Sequence, residues 1–423
     1  MITNMIVNVL IFIIGLIVYA GYGWAGLAYL AAAVLLSYGT ALLCKKARWL
    51  TWVWIAVNGA MLLMLKLQPV TGLSLLAPMG VSYFTLQIIA YNVDVYRGKY
   101  EPERNLFRYA FFVTYIPHLF LGPIERFDAM KLALERRRIT GEGVFEGAAR
   151  AVWGLFKKFV IASRAGVIVG AISTDPAAYR GGYALAAVLL YSVQLYADFS
   201  GGIDTVLGVS QMLGLRLSEN FDAPYFSRSV QEFWRRWHIT LGAWLREYVY
   251  IPLGGNRKGK ARKILNTLVT FLISGLWHGI HYLLWGLLNG VFVCLGEKLR
   301  TKWKLLDQLG TFLVITLLWS FFVWTDTVTA LKMAGSIFTV FNYGQLLTEL
   351  PELGLVLSDW ILLGLGVAVV WLVDWKREPL QRRFLGFSPA VRTGAVCLLA
   401  LAVLVFGMYG IGFDASAFIY GGF

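Results

Sequence analysis

Histidine and cysteine are scarce in this chain, with four and three copies in 423 residues. Cys44, Cys294 and Cys397 lie in or beside apolar segments. An odd, scattered set excludes a disulfide framework and a zinc pattern, so they read as small core residues. Long polar stretches are also rare. The longest, 124–147, is too short to fold alone, and no linker or internal repeat divides the chain. A nucleic-acid-reading module therefore has no polar domain to carry it. The first apolar run has no basic segment before it and no small-residue cleavage site. It reads as a first helix rather than a removable signal. One integral membrane domain, 1–423, is expected.

Apolar residues are what the chain has in quantity, at 58%. Runs recur near 5–20, 25–43, 49–66, 73–95, 107–122, 151–172, 184–209, 228–251, 264–293, 310–326, 328–342, 357–375 and 393–413. About 10 or 11 of them are long enough to span a bilayer, which predicts an all-α polytopic membrane protein. The net charge is +14, and the positive charge sits in connecting segments. Lys45, Lys46 and Arg48 form one cluster, and Arg97, Lys99, Arg104 and Arg108 a second. Arg126 to Arg138 and Arg257 to Lys263 form two more. Such loops face the cytoplasm and touch anionic membrane lipid. The run 107–122 then poses a conflict, because basic clusters flank it on both sides. It contains Pro117, Gly122 and Pro123, and a re-entrant or broken segment buried in protein resolves the conflict.

The most informative stretch runs from Ser229 to Gly279. Trp237-His238 and Trp277-His278 bracket a cationic, Gly-rich loop. An ionisable side chain is costly inside lipid, so a histidine there calls for a reason. His238 and His278 are 40 residues apart, and one straight helix would hold them about 60 Å apart. Pro252, Gly254, Gly255, Asn256 and Gly259 supply a turn. Two arms of a hairpin can thus bring both histidines to one site. Ser229 to Tyr250 is amphipathic and too charged to face lipid, so it lies at an interface or lines a cavity. No acidic residue lies between Ile264 and Gly290. A neutral His278 in that setting can take a proton from a hydroxyl or thiol and hand it on. A structural histidine bonded across helices is the competing reading. His281, three residues on, lacks a third ligand nearby, so no metal is expected. His118 reads as a core residue. Asp198 and Asp204 mark a cavity or a buried ion pair.

These residues resemble the membrane-bound O-acyltransferase (MBOAT) superfamily, in its bacterial branch of alginate O-acetylases and teichoic-acid D-alanyl transferases. Pro78 to Phe84 with Asp94 to Gly98 looks like an early family motif. Gly122 to Arg126, Gly154 to Lys158 and Tyr196 to Asp204 look like later ones. EFWRRWH and YIPLGGNRKG, within 228–259, and LWHG at 276–279 are the most specific. The ending Phe418-Ile419-Tyr420 is also similar to the family's, which implies a chain complete at that end. The resemblance implies an MBOAT-like helical fold, with a thinned centre and a central tunnel from a cytoplasmic donor side to an outer acceptor side. It implies His278 as the catalytic histidine and His238 as the second. Arg257, Lys258 and Lys260 are expected at the donor, and Trp237, Trp277, Asp198 and Asn266 along the tunnel. There are two departures. The chain starts one helix later than its relatives, and Phe321-Phe322-Val323-Trp324 lacks the arginine of the late motif FFRA.

The implied reaction is O-acyl transfer. An acetyl group would move from acetyl-CoA to hydroxyls of a cell-surface or secreted polysaccharide, directly or through an extracytoplasmic SGNH-type acetyltransferase partner. YIPLGGNRKG favours this reading. Gly122 to Arg126 leans toward the alternative, D-alanyl transfer from an acyl carrier protein to teichoic acid. A polytopic transporter is the alternative of another class. No resident cofactor, metal or nucleic acid is expected, and the bacterial cytoplasmic membrane is the expected location.

Overall fold

The computed structural model describes residues 2–296 and 298–409, so Phe418-Ile419-Tyr420 lies outside the described residues. Every named element among them is helical. Six helices are long and apolar enough to cross a membrane: Trp24–Leu43, Trp49–Thr71, Gly182–Met212, Lys304–Val323, Leu357–Trp375 and Pro389–Phe406. Two shorter apolar helices, Met5–Gly21 and Ile280–Leu295, join them. The chain is a multi-pass membrane protein. The expected 10 or 11 spans exceed these because several apolar runs are cut short. The run 73–95 yields a helix only over Val81–Tyr96, and 228–251 breaks into Val230–Arg236, Ile239–Leu245 and a π-turn at Arg246–Tyr250.

The helix Gly182–Met212, 31 residues long, forms the core. It packs backbone to backbone against Gly141–Phe156. A Cβ on Gly154 would stand 2.3 Å from the Gly201 carbonyl oxygen, and one on Gly208 would stand 2.5 Å from that of Gly147. Beyond Phe156 the chain widens into a π-helix, Lys157–Ala162. This extra residue per turn presents two consecutive lysines to the core helix. Lys157 Nζ donates to Asp204 at 2.6 Å and to Ser200 at 2.8 Å, and Lys158 pairs with Asp198. Arg150 reaches Asp204 at 2.8 Å. Asp198 therefore serves a buried ion pair, and Asp204 is paired at the edge of a cavity of about 440 Å³.

The segment 107–122 is broken as expected. Helix Leu106–Thr114 ends at Tyr115, and the five-residue helix Ile116–Phe120 follows. The flanking basic clusters meet on one side: Lys99 lies 3.4 Å from Asp128, and Lys131 lies 3.6 Å from Glu103. The segment enters and returns on that side. Surface pairs of this kind add little stability, but they fix which ends are neighbours. His118 is buried within the break, with its Nδ1 3.4 Å from Gln87 Nε2.

Candidate active site

The helix Gly259–His278 ends at Gly279, whose φ of 146° is open to glycine and strained for other residues. A 3-10 turn, Ile280–Tyr282, reverses the chain into helix Leu283–Leu295. The two arms touch along a glycine seam. A Cβ on Gly275 would stand 2.5 Å from the Tyr282 carbonyl oxygen, and one on Gly286 would stand 2.4 Å from that of Phe271. His278 is thereby held at the apex of a tight hairpin.

Aromatic rings wall His278. Its ring centroid lies 4.8 Å from Trp277, 5.4 Å from Trp285, 5.7 Å from Phe322 and 6.2 Å from Tyr282. The other face of the site is His238. It is 3% exposed and sits at a corner between Val230–Arg236 and Ile239–Leu245. The Trp277 ring is 6.2 Å from the His238 ring, so one indole contacts both imidazoles. His278 lies within electrostatic reach of both His238 and Lys66.

Asn220 fixes the His238 corner. Its Oδ1 accepts from Thr240 N at 3.0 Å and Thr240 Oγ1 at 2.9 Å, and lies 3.3 Å from His238 Nδ1. Ile239 N donates to the Asn220 carbonyl at 3.0 Å. A backbone N–H facing the amide oxygen sets the orientation of that amide. An oxygen there can only accept, so neutral His238 carries its proton on Nδ1 and keeps a lone pair on Nε2.

Both histidines line one cavity of about 1070 Å³. Trp237 lines it with them, and so do Arg257 and Lys260. Arg235, Arg246, Lys263 and Lys298 add to the rim, and no acidic residue is among the described lining. Other expected residues sit elsewhere. Trp277 packs on both imidazoles and is not among the residues that line this cavity. Asp198 is turned to Lys158. Asn266 donates to the Gly255 carbonyl at 2.8 Å, bracing the turn. The Lys258 stem packs on Gly254. Trp277, Asp198 and Asn266, expected along a tunnel, are not among the residues that line this cavity.

Sequence reasoning passed over two residues of the site. Asn220 lies in a loop with no pattern to mark it. Lys66 did carry a signal, since it is the one charged residue of Trp49–Thr71. Its Nζ stands 6.0 Å from the Trp277 ring.

Contacts tie the basic turn to other basic clusters. Arg97 Nη1 reaches the Glu247 carbonyl at 3.5 Å, and Arg126 pairs with the Glu247 side chain at 3.1 Å. The basic turn after Tyr250 therefore shares a face with the 97–108 and 126–138 clusters, which the positive-inside rule assigns to the cytoplasm.

The family model of the membrane-bound O-acyltransferases matches residues 103–340. The probable alginate O-acetylase AlgI of Pseudomonas syringae pv. tomato is 38% identical over 291 residues, 67% of this chain and 56% of that protein. A peptidoglycan O-acetyltransferase of Helicobacter pylori is 34% identical over 298 residues, 62% of this chain and 56% of that protein. A teichoic acid D-alanyltransferase of Streptococcus thermophilus is 28% identical over 265 residues, 58% of this chain and 64% of that protein. The chain thus spans a little over half the length of the first two relatives.

Proposed function

We propose a function from one premise: this chain belongs to the membrane-bound O-acyltransferase family. Our reading is that it moves an acetyl group from a cytoplasmic thioester, acetyl-CoA, to hydroxyls of a cell-surface or secreted polysaccharide. The group passes through the bacterial cytoplasmic membrane, with an extracytoplasmic acetyltransferase partner relaying it or with direct transfer. The observation that carries the reading is a cavity lined by both His238 and His278, whose described charged lining residues are all basic.

The chemistry follows from that arrangement. Arg257 and Lys260 attract the phosphates of the donor, and the apolar walls take its acyl arm. His278 accepts the proton of the attacking hydroxyl as its oxygen bonds to the thioester carbonyl. The C–S bond then breaks, and the imidazolium returns its proton to the leaving thiolate. An ester and a free thiol result. His238, held by Asn220, orients the reacting groups through Nε2. The relatives named for O-acetylation match at higher identity than the one named for D-alanylation. That favours acetyl over D-alanyl.

The test is transfer from labelled acetyl-CoA by the purified protein. His278→Ala should lose at least about a hundredfold in turnover, the usual scale of a proton-transfer group. His238→Ala should lose less. Unchanged turnover in His278→Ala sinks the mechanism. Labelling from a D-alanyl carrier protein, with none from acetyl-CoA, replaces the donor.

A further inference from the structure

We propose that a second cavity, apart from the one that holds the histidines, takes the headgroup of an aminophospholipid: a phosphate joined by a short arm to a primary ammonium. The inference goes beyond the acyl-transfer reading and does not depend on it.

This cavity of about 440 Å³ is walled by the core helix Gly182–Met212, by Gly141–Phe156 and by the short helix Arg377–Leu385. It shares no described lining residue with the cavity of the histidines. An aromatic layer parts the two. The rings of Phe221 and Tyr196, which line the second cavity, stand 5.1 and 6.0 Å from that of Trp237, which lines the first.

Four of its charged groups are already matched. Arg150 meets Glu219 at 2.6 Å and Asp204 at 2.8 Å, and Lys157 meets Asp204 at 2.6 Å. Two cations thus offset two carboxylates. Three charged lining groups remain. Glu146 accepts from Gln211 at 2.8 Å and Asp374 from Tyr196 at 2.6 Å, and neither forms an ion pair among the described residues. Arg377 has only long contacts, 3.9 Å to Glu219 and 3.7 Å to Asp222. A half-buried carboxylate calls for a cationic partner and a guanidinium for an anionic one. A bare metal ion suits the acids and is repelled by Arg377. A bare phosphate suits Arg377 and is repelled by the acids. One group carrying both charges satisfies both. Asp374 and Arg377 lie within electrostatic reach of each other at the junction of two helices. A phosphate at Arg377 therefore needs only a two-carbon arm to bring its ammonium to Asp374.

Placement makes the group lipid-borne. The span Leu357–Trp375 ends beside the cavity, with Trp371 and Trp375 exposed as an aromatic belt at a membrane interface. Lys376, Arg377, Arg382 and Arg383 follow at once, and the positive-inside rule assigns such a junction to the cytoplasmic leaflet. Val373, Phe384 and Leu385 give the cavity an apolar edge, and Leu385 is exposed. Acyl chains can leave along that edge into the bilayer. The bound headgroup also abuts the His238 corner, because Asn220, which holds His238, lies between the lining residues Glu219 and Phe221.

Lipid binding tests this without any transfer reaction. The full-length protein is stripped in detergent and titrated with phosphatidylethanolamine, phosphatidylcholine and phosphatidylglycerol of the same acyl chains, and bound lipid is counted by native mass spectrometry. Wild type should hold phosphatidylethanolamine about tenfold more tightly than the other two, the scale of a hydrogen bond between charged groups. The choline headgroup has no N–H to donate, and the glycerol headgroup has no cation. Asp374→Asn keeps an acceptor for Tyr196 and should remove the preference. Arg377→Gln, at an exposed position, should weaken all three lipids about tenfold, since all carry the phosphate. Equal binding of the three lipids by wild type overturns the proposal, as does tighter binding of phosphatidylglycerol. A preference that survives Asp374→Asn overturns it too. Free glycerophosphoethanolamine serves as the last probe. Binding as tight as that of the lipid would assign the cavity to a soluble ligand and overturn the lipid source.

Discussion

His238 holds a backbone conformation that side-chain-bearing residues seldom adopt, with φ 46° and ψ 53°. A left-handed residue of this kind costs about 1–2 kcal/mol, so its surroundings must hold it there. Asn220 does so from both sides of the peptide. Its carbonyl takes Ile239 N, and its Oδ1 takes both donors of Thr240. Asn220→Ala strands those buried Thr240 donors and should destabilise the protein by about 1–3 kcal/mol. Turnover should fall while donor KM moves little, because the basic mouth is untouched. Thermal unfolding in detergent, alongside acetyl-CoA kinetics, reads both. An unchanged melting temperature would remove Asn220 from this role. The histidines themselves were legible in the sequence, since a scarce titratable residue in an apolar chain stands out. Asn220 was not, because its partners lie 18 to 20 residues further on and only the fold joins them. Lys66 was visible as a lone charge, but its meaning depends on which face of the helix meets Trp277.

The hairpin Gly259–His278 and Leu283–Leu295 is the element on which the site depends. The turn at Pro252 to Gly259 foretold that the chain would fold back before His278. The second reversal, at Gly279, places the histidine at an apex rather than midway along a helix. Glycine spacing hinted at close contact, and the arms do meet backbone to backbone at Gly275 and Gly286. Gly286→Ala forces a methyl to within 2.4 Å of the Phe271 carbonyl oxygen. It should cost about 1–3 kcal/mol, as overpacking does. It should also spread the arms and lower turnover without touching any reacting group. A melting curve that overlays wild type would show that the seam can relax freely. The ion pairs of the core helix show the opposite limit of sequence reading. Asp198 and Asp204 stand out as intramembrane acids, and either a cavity or a pair fits the sequence. The π-turn at Lys157–Ala162 turns both lysines inward, so both acids are paired, while Asp204 lines a cavity as well, and no sequence period announces such a turn.

At the scale of the whole molecule the structure is two-sided, and the sides differ in charge. One face gathers the 97–108 and 126–138 clusters around Glu247. The opposite face carries the loop 72–80, which has no charged residue. Loop charge in the sequence favours one orientation of the helices, because the positive-inside rule acts on each loop separately. The count of spans was harder to read. Hydropathy does not separate a full span from a buried, broken segment such as Leu106–Phe120, and both are equally apolar. The orientation has a direct consequence for access to the site. In a protein with its three cysteines changed to serine, Leu76→Cys should react on intact cells or spheroplasts with a membrane-impermeant maleimide. Asn256→Cys, in the basic turn, should react only after the membrane is opened. Leu76 is 53% exposed, so poor labelling there cannot be blamed on burial. If both positions label from the same side, the basic turn and the loop 72–80 face one compartment. Transfer through the membrane would then have no path in this fold.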